Sequence, residues 1–434
     1  MKKVVCLLIT LIVTSNLANS QNTFHSLEDV WSYALANNKE NTKFQLQVEK
    51  SIKDKYVANS YIYPKIYAGM SGQRNGAIPE TPVPGELVGM PGETVFLQFG
   101  QTYNYSGGIS TSKTLLDWQS RFQAKIAESN INLVKAEKSL FEQNLKKQIA
   151  QLYYAVLTAQ AAIDLSEKEV SLADSTLLLT TSKYQQGLAD KLTLYQAKIN
   201  KNNASDRCEQ NKQYLYESKT NLKILLGMSS DDTFSLSELI QLDTNSFIEN
   251  NLDDDVSLNL YRIQTLNSTL ATKQALSRFR PKLDVFAYLG GIQYQQDFIF
   301  SLRKNEWQPN RYIGLNLSVP LFTGFATKNQ YQSAKISQSI AQINYDEAIR
   351  KSSLEDQTLI TNYTTTKKLA KSAEQNLELA DESVRLAYSK YSEGLISLDN
   401  YFSVYDEYLA VKNQYFNRLS DYFINKAIIQ ARNR

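Results

Sequence analysis

The sequence predicts a mixed fold, mainly α-helical with membrane β-strands, built as two tandem repeats. Each repeat holds a helix, a β-hairpin and a long antiparallel helical hairpin. Two observations predict this fold class. Motifs of the first half recur in the same order in the second half, and four short segments with alternating polarity stand beside very long stretches without Pro.

The composition excludes several function classes. The chain has 434 residues and a mean hydropathy of −0.39, which is too polar for a bundle of membrane-spanning helices. Lys and Arg number 47 against 44 Asp and Glu, so no charge footprint for nucleic acid is present. With His25, Cys6 and Cys208 as the whole His and Cys complement, we expect no disulfide framework, metal site, cofactor or triad enzyme.

Residues 1–20 are predicted to be a signal peptide. Lys2 and Lys3 precede an apolar run that ends at Val13, and Ala18-Asn19-Ser20 fits a cleavage site. Lipoprotein processing at Cys6 is the rival interpretation, but Cys6 lies too early, at the start of the apolar run rather than after it. The protein is therefore expected to be exported.

The duplication is carried by three pairs of motifs. Lys183-Tyr184-Gln185-Gln186-Gly187-Leu188 recurs as Lys390-Tyr391-Ser392-Glu393-Gly394-Leu395, and Pro64-Lys65 recurs as Pro281-Lys282. Ser112 to Leu116 corresponds more loosely to Ser318 to Phe322. We predict repeat 1 at 21–227, a connector or equatorial segment at 228–252, and repeat 2 at 253–434.

Each repeat is predicted to contain the same elements. Repeat 1 is expected to have a helix at about 26–60, strands at about 65–73 and 102–113 joined by a Pro-rich loop, and long helices at about 118–184 and 190–226. Repeat 2 is expected to have a helix at 254–279, strands at about 282–292 and 311–320, and long helices at about 326–391 and 397–431. Each first long helix spans on the order of 100 Å.

The strands predict a sheet with one apolar face. Leu283, Val285, Ala287 and Leu289 share one face, while Asp284, Phe286 and Tyr288 lie on the other. In a bilayer the open edges of a four-stranded sheet leave backbone groups unsatisfied, so several protomers must share one barrel. The 27 tyrosines fit the aromatic belts of such barrels.

These motifs resemble the TolC family of outer-membrane efflux and secretion ducts. The matching segments are the Ser318–Gly324 run, both Lys-Tyr-x-x-Gly-Leu turns, both Pro-Lys pairs and the opening Ser26–Asn38. The resemblance implies a homotrimer whose 12-stranded β-barrel lies in outer-membrane lipid and continues as an α-helical barrel in the periplasm. It also implies a porin-like channel that performs no chemistry and serves tripartite efflux or type I secretion. Its expected partners are a periplasmic adaptor (membrane fusion) protein and an inner-membrane transporter.

The resemblance also places candidate sites at the two turns. The periplasmic gate, an iris of helix tips, is expected at Asp399, Asn400, Ser403, Asp190 and Thr193. Asn400 and Ser403 stand where the family often carries constricting aspartates, and Asp399 could instead be a helix-start carboxylate. Adaptor-contact candidates are Tyr184, Gly187, Leu188, Tyr391, Gly394 and Leu395, although Gly can simply cap a helix and Leu can simply pack.

Two other functions stay open at this stage. A secreted coiled-coil scaffold or adhesin without a pore explains the long helices but leaves the four alternating segments unexplained. A carboxylate-dependent envelope hydrolase requires paired carboxylates in a pocket, and the sequence has no pocket motif. Heat-modifiable migration in the outer-membrane fraction distinguishes the duct from the scaffold.

Overall fold

The structure is a computed structural model that describes residues 22–238, 242 and 255–432. The predicted signal peptide at 1–20 lies outside the described residues, as does most of the predicted connector beyond residue 238. The remaining chain forms long helices and three small sheets.

The helices and strands follow one another in a repeated order. The helices are α1 (Leu27–Asn37), α2 (Lys39–Asn59), α3 (Trp118–Gln185), α4 (Lys191–Leu226), α5 (Val256–Ser277), α6 (Ala326–Ser392) and α7 (Leu398–Arg432). The strands are β1 (Asn22–Phe24), β2 (Lys65–Arg74), β3 (Glu80–Pro84), β4 (Thr94–Gln98), β5 (Tyr103–Leu116), β6 (Phe234–Leu236), β7 (Lys282–Gln295) and β8 (Gln308–Ser318).

The chain divides into two compact units. One comprises the described parts of residues 1–46, 136–259 and 347–434, and the other comprises 47–135 and 260–346. These units are built from both halves of the sequence. The division into repeats at 21–227 and 253–434 therefore stays a prediction about sequence ancestry.

In the first unit, the long helices pair in antiparallel fashion. Glu169 of α3 bonds Arg207 of α4, and further along the pair Ala162 accepts a hydrogen bond from Asn211. In α6 and α7, the ring of Tyr363 lies 5.6 Å from that of Tyr422, and the ring of Tyr391 lies 5.6 Å from that of Tyr401. The residue numbers rise on one helix as they fall on the other, as in two helical hairpins.

The core of this unit surrounds α1. Trp31 is buried and donates from its indole nitrogen to the carbonyl of Lys146, at 2.9 Å. The helix predicted at about 26–60 is found as two helices, α1 and α2, because the chain leaves the helical conformation at Asn38. The side chain of Asn38 donates to the carbonyl of Leu225 and accepts from the amide of Glu40, so a tertiary contact breaks the helix.

A second correction concerns the connector. Its residues Phe234–Leu236 form β6, which pairs in parallel with β1. Phe234 and Leu236 are buried against the core, so this part of the predicted connector does not lie on the surface.

The second unit is built around an antiparallel sheet with strand order β2-β5-β7-β8. The expectation of a Pro-rich loop between β2 and β5 is wrong in part, because this segment contains the small hairpin β3–β4. Gly85 closes this hairpin: a Cβ atom there would lie 2.0 Å from the carbonyl oxygen of Met90, so no other residue fits without backbone movement.

Candidate functional site: the strand sheet and the paired helix turns

The outer strands of the four-stranded sheet have open edges. β2 pairs only with β5, and β8 pairs only with β7, among the residues that the structure describes. Each edge therefore presents a row of backbone donors and acceptors. Such edges are templates for pairing with another chain.

One face of this sheet is apolar and exposed. Ile313 has 78% of its surface exposed, and the apolar side chains on the same face are also exposed. They are Ile66, Met70, Ile109, Leu289, Leu315 and Leu317. A contiguous apolar surface of this kind marks contact with lipid or with another protein.

Aromatic side chains lie at both ends of the apolar face. At one end the rings of Tyr105 and Phe300 are 5.5 Å apart, and Phe300 contacts Trp307 at 6.0 Å. After the opposite end of β8, Phe322 and Phe325 lie 5.4 Å apart. This arrangement is typical of the aromatic girdles of membrane β-strands.

The other face carries small and polar side chains together with aromatic ones. The hydroxyls of Ser71 and Ser106 are exposed and 2.8 Å apart. The rings of Tyr288 and Tyr312 stack at 5.5 Å. Gly108 admits the Tyr288 ring, because a Cβ there would lie 2.8 Å from its Cζ. The face is therefore polar but carries an aromatic platform.

The first helix turn is a glycine-capped reversal. Gly187 has φ +74°, and the amide of Leu188 donates to the carbonyl of Lys183 at 2.8 Å. Asp190 then caps α4 by accepting from the hydroxyl and amide of Thr193, at 2.6 and 2.8 Å. Both hydrogen bonds lower the pKa of the Asp190 carboxyl, and the bond from the Thr193 hydroxyl has the larger effect. Asp190 and Thr193 thus bind each other at the helix start.

The second turn repeats this backbone pattern. Gly394 has φ +78°, and the amide of Leu395 donates to the carbonyl of Lys390 at 2.8 Å. Here Ser397 caps the next helix, with its hydroxyl accepting from the amide of Asn400. Asp399 is therefore not the capping residue, and its carboxylate lies exposed in the first turn of α7. Ser403 is exposed as well.

The side chains of the two turns are not equivalent. Tyr391 is 4% exposed, whereas Tyr184 at the matching position is 40% exposed. The Nζ atom of Lys183 lies 4.3 Å from the centre of the Tyr391 ring and donates to the Tyr391 carbonyl. On its other side, the ring stacks on Tyr401 at 5.6 Å. The Tyr391 side chain is therefore much less accessible to a partner than that of Tyr184, and its role as an adaptor contact stays a prediction.

Sequence reasoning missed two residues at this contact. Thr180 lies with its hydroxyl 3.2 Å from that of Tyr391, and Lys183 covers the ring. The duplicated motif gave a signal for Lys183, but its counterpart Lys390 has no such aromatic contact among the described residues. Only tertiary structure distinguishes them.

Neither a metal centre nor a membrane helix is found at these positions. In the described ranges no three His, Cys, Asp or Glu side chains group as metal ligands. No helix there combines the length and apolarity needed to cross a membrane.

Comparison with known proteins identifies the family. A model described as outer membrane efflux protein matches residues 30–228 and 271–422. The chain belongs to the outer membrane efflux protein family. No curated protein matches the chain significantly.

The fold of this efflux protein is similar to those of solved outer-membrane channels. CmeC of Campylobacter jejuni has 17% identity and a TM-score of 0.78, with 93% of this chain and 84% of that chain covered. VceC of Vibrio cholerae has 16% identity and a TM-score of 0.74, with 94% and 96% covered. MtrE of Neisseria gonorrhoeae has 16% identity and a TM-score of 0.65, with 92% and 88% covered. At such identities the likeness shows the fold alone.

These comparisons confirm three predictions. The efflux protein is of the TolC type, it has a mainly helical tandem fold, and it belongs to the outer membrane. The gate and adaptor-contact residues of this efflux protein remain predictions.

Proposed function

We propose that this efflux protein is the outer-membrane duct of a tripartite efflux or type I secretion system. It conducts substrates passively from an inner-membrane transporter across the periplasm and the outer membrane. A periplasmic adaptor protein joins the two, and the duct itself catalyses no reaction. The observation that carries this proposal is the open-edged sheet with an exposed apolar face.

Closure of that sheet requires sister chains. Unpaired backbone groups at the edges of β2 and β8 cost several kcal/mol each in lipid. Pairing β8 of one protomer with β2 of the next satisfies both edges. Three copies then form a 12-stranded barrel, whose polar face lines the lumen and whose apolar face contacts lipid.

Helix α6 supports the same assembly. Ile336, Ile340 and Ile343 follow at helical spacing and are all exposed in the single chain. A sister protomer packed on this stripe removes it from water. The helices then continue the barrel as a periplasmic tube.

The gate is proposed at the paired turns. The Lys183–Tyr391 contact fastens one helical hairpin to the other, and opening requires its separation. Exposed Asp399, Asn400 and Ser403 then face the narrow end of the lumen, where three Asp399 carboxylates form a ring. Asp190 and Thr193 stabilise the neighbouring helix start.

The adaptor is proposed to contact the tips of both turns. Leu188 and Leu395 are exposed beside Gly187 and Gly394, and Tyr184 lies exposed one turn away. Exposed leucines at paired turns offer small apolar anchors to a partner helix.

Reconstitution tests the duct. We expect heat-modifiable oligomers in the outer-membrane fraction, hollow particles in projection images and single-channel conductance in planar bilayers. Crosslinking in cells followed by purification should recover an adaptor and an inner-membrane transporter. A monomeric, non-conducting protein in detergent is the result expected of a scaffold or adhesin, and it contradicts the proposal.

A further inference from the structure

The connection between β7 and β8 lies against the apolar face of the sheet. This connection, residues 296–307, is called the flap. Trp307 covers two glycines of that face: a Cβ at Gly291 would lie 3.2 Å from the Trp307 ring, and one at Gly107 would lie 3.7 Å from it. The flap is thus attached to the surface that is proposed to contact lipid.

A buried polar network fixes the flap. Gln293 is fully buried and donates to the carboxylate of Glu306 at 3.0 Å, while its amide oxygen accepts from the backbone of Ser301 at 3.3 Å. The indole nitrogen of Trp307 donates to the Ser301 carbonyl at 2.8 Å. The conformation of the flap is therefore defined by its own contacts.

Apolar side chains of the flap point away from these contacts. Phe298 is 81% exposed and Leu302 is 85% exposed, and Ile299 between them is exposed too. Exposing such side chains to water is unfavourable relative to burying them. They form an apolar tip next to the aromatic girdle.

Basic side chains flank this tip without an ion pair. Arg303 and Lys304 follow Leu302 directly. Within the described residues neither of the two forms an ion pair with a carboxylate. Glu306 is occupied by glutamine amides. Asp297 forms no ion pair with them either.

We propose that the flap is a docking site for anionic, phosphate-bearing membrane lipid. Its apolar tip enters the acyl layer, while Arg303 and Lys304 beside the tip bind headgroup phosphates. Charge complementarity selects this occupant, because guanidinium and ammonium groups bind phosphate oxygens strongly at a membrane surface. The inference rests on the proposed exposure of the apolar face to lipid.

Quenching of Trp307 fluorescence by brominated lipids tests the inference. The full-length protein is reconstituted into phosphatidylcholine vesicles containing either brominated phosphatidylglycerol or brominated phosphatidylcholine. Trp307→Phe identifies the Trp307 signal. We expect the anionic quencher to be at least about three-fold more effective than the zwitterionic one, and Arg303→Gln/Lys304→Gln to bring this ratio to about one.

A matched control is Lys367→Gln/Lys368→Gln on α6, which removes the same charge elsewhere and should preserve the ratio. Added inorganic phosphate should also preserve it, because the occupant is lipid. Equal quenching by both lipids, or a ratio unchanged in Arg303→Gln/Lys304→Gln, overturns the inference. If neither lipid quenches Trp307, a sister copy or another protein covers the flap, and the inference is wrong.

Conductance of the same vesicles separates this inference from the proposed function. Conducting vesicles without lipid preference contradict the flap site alone. Vesicles without conductance or inserted protein contradict both, because the flap then has no membrane to contact.

Discussion

Lys183 covers the ring of Tyr391, 4.3 Å from its centre, and donates to the carbonyl of the same residue. The two residues belong to different helical hairpins, so a single side chain joins both hairpin ends. Its position in the duplicated motif is shared by Lys390, which has no aromatic contact among the described residues.

Lys183→Met should favour the open gate. The variant keeps the length of the side chain but removes the cation, and the lost interaction shifts the opening equilibrium by about 1–2 kcal/mol, or roughly five- to thirty-fold. Single-channel open probability in planar bilayers measures this shift. Lys390→Met is the matched control, and an equal effect of both variants argues against the contact as a closed-state fastening.

Asp399→Asn should reduce cation selectivity. In the proposed trimer it removes three carboxylates from the narrow end, so the cation-to-anion permeability ratio should fall by about two-fold or more. Reversal potentials in a salt gradient give the ratio. Asp421→Asn, exposed on the same helix but far from the turn, should leave it near the wild-type value. An unchanged cation-to-anion permeability ratio in Asp399→Asn contradicts the proposed ring of three Asp399 carboxylates.

Leu188→Ser/Leu395→Ser should weaken binding of the adaptor. Both side chains are exposed at the turns, and loss of two apolar anchors lowers affinity by about ten-fold or more. Copurification after crosslinking measures binding, with bilayer conductance as the check of assembly. Leu178→Ser, an equally exposed leucine within α3, should bind normally. Normal adaptor recovery with the double variant places the contact elsewhere.

Arg432→Met should destabilise the first unit. The buried Arg432 guanidinium lies 3.3 Å from the carboxylate of Asp255 and 2.5 Å from that of Asp356. Its removal leaves Asp255 buried without its cation, at a cost of about 3–5 kcal/mol. Thermal unfolding in detergent should show a lower midpoint. Arg418→Met, which removes an exposed pair, should have little effect, and equal midpoints for both variants contradict the assignment.

Tyr401 should make the stability of the folded protein depend on pH in the alkaline range. Burial raises its pKa from 10.0 to about 12. The unfolded chain therefore releases this proton first, so the stabilisation is present below pH 10 and is lost as the pH rises towards 12. Thermal midpoints between pH 8 and 11.5 should fall less steeply in Tyr401→Phe. The same slope in Tyr401→Phe and in Tyr214→Phe, an exposed tyrosine of α4, contradicts this contribution.

The fold class could be predicted because its signals are local. Gly187 and Gly394 end long helices, Pro64 and Pro281 precede strands, and period-2 alternation marks the sheet. Each of these features depends only on residues that are close to it in the sequence.

Features that depend on distant residues could not be predicted. Asn38 breaks its helix because Leu225 offers a carbonyl, and Tyr391 is buried because Lys183 and Thr180 cover it. The repeated motif suggested equal roles for Tyr184 and Tyr391. Packing against the other hairpin buries Tyr391, whereas Tyr184 stays exposed.

The parallel pairing of β1 with β6 has a consequence for the order of export. Asn22 aligns with Phe234, so the leading strand has no partner until more than two hundred further residues have passed the inner membrane. Strand β1 therefore stays unpaired until the middle of the chain has been exported. Slow emergence of the chain therefore prolongs the time for which β1 lacks its partner strand.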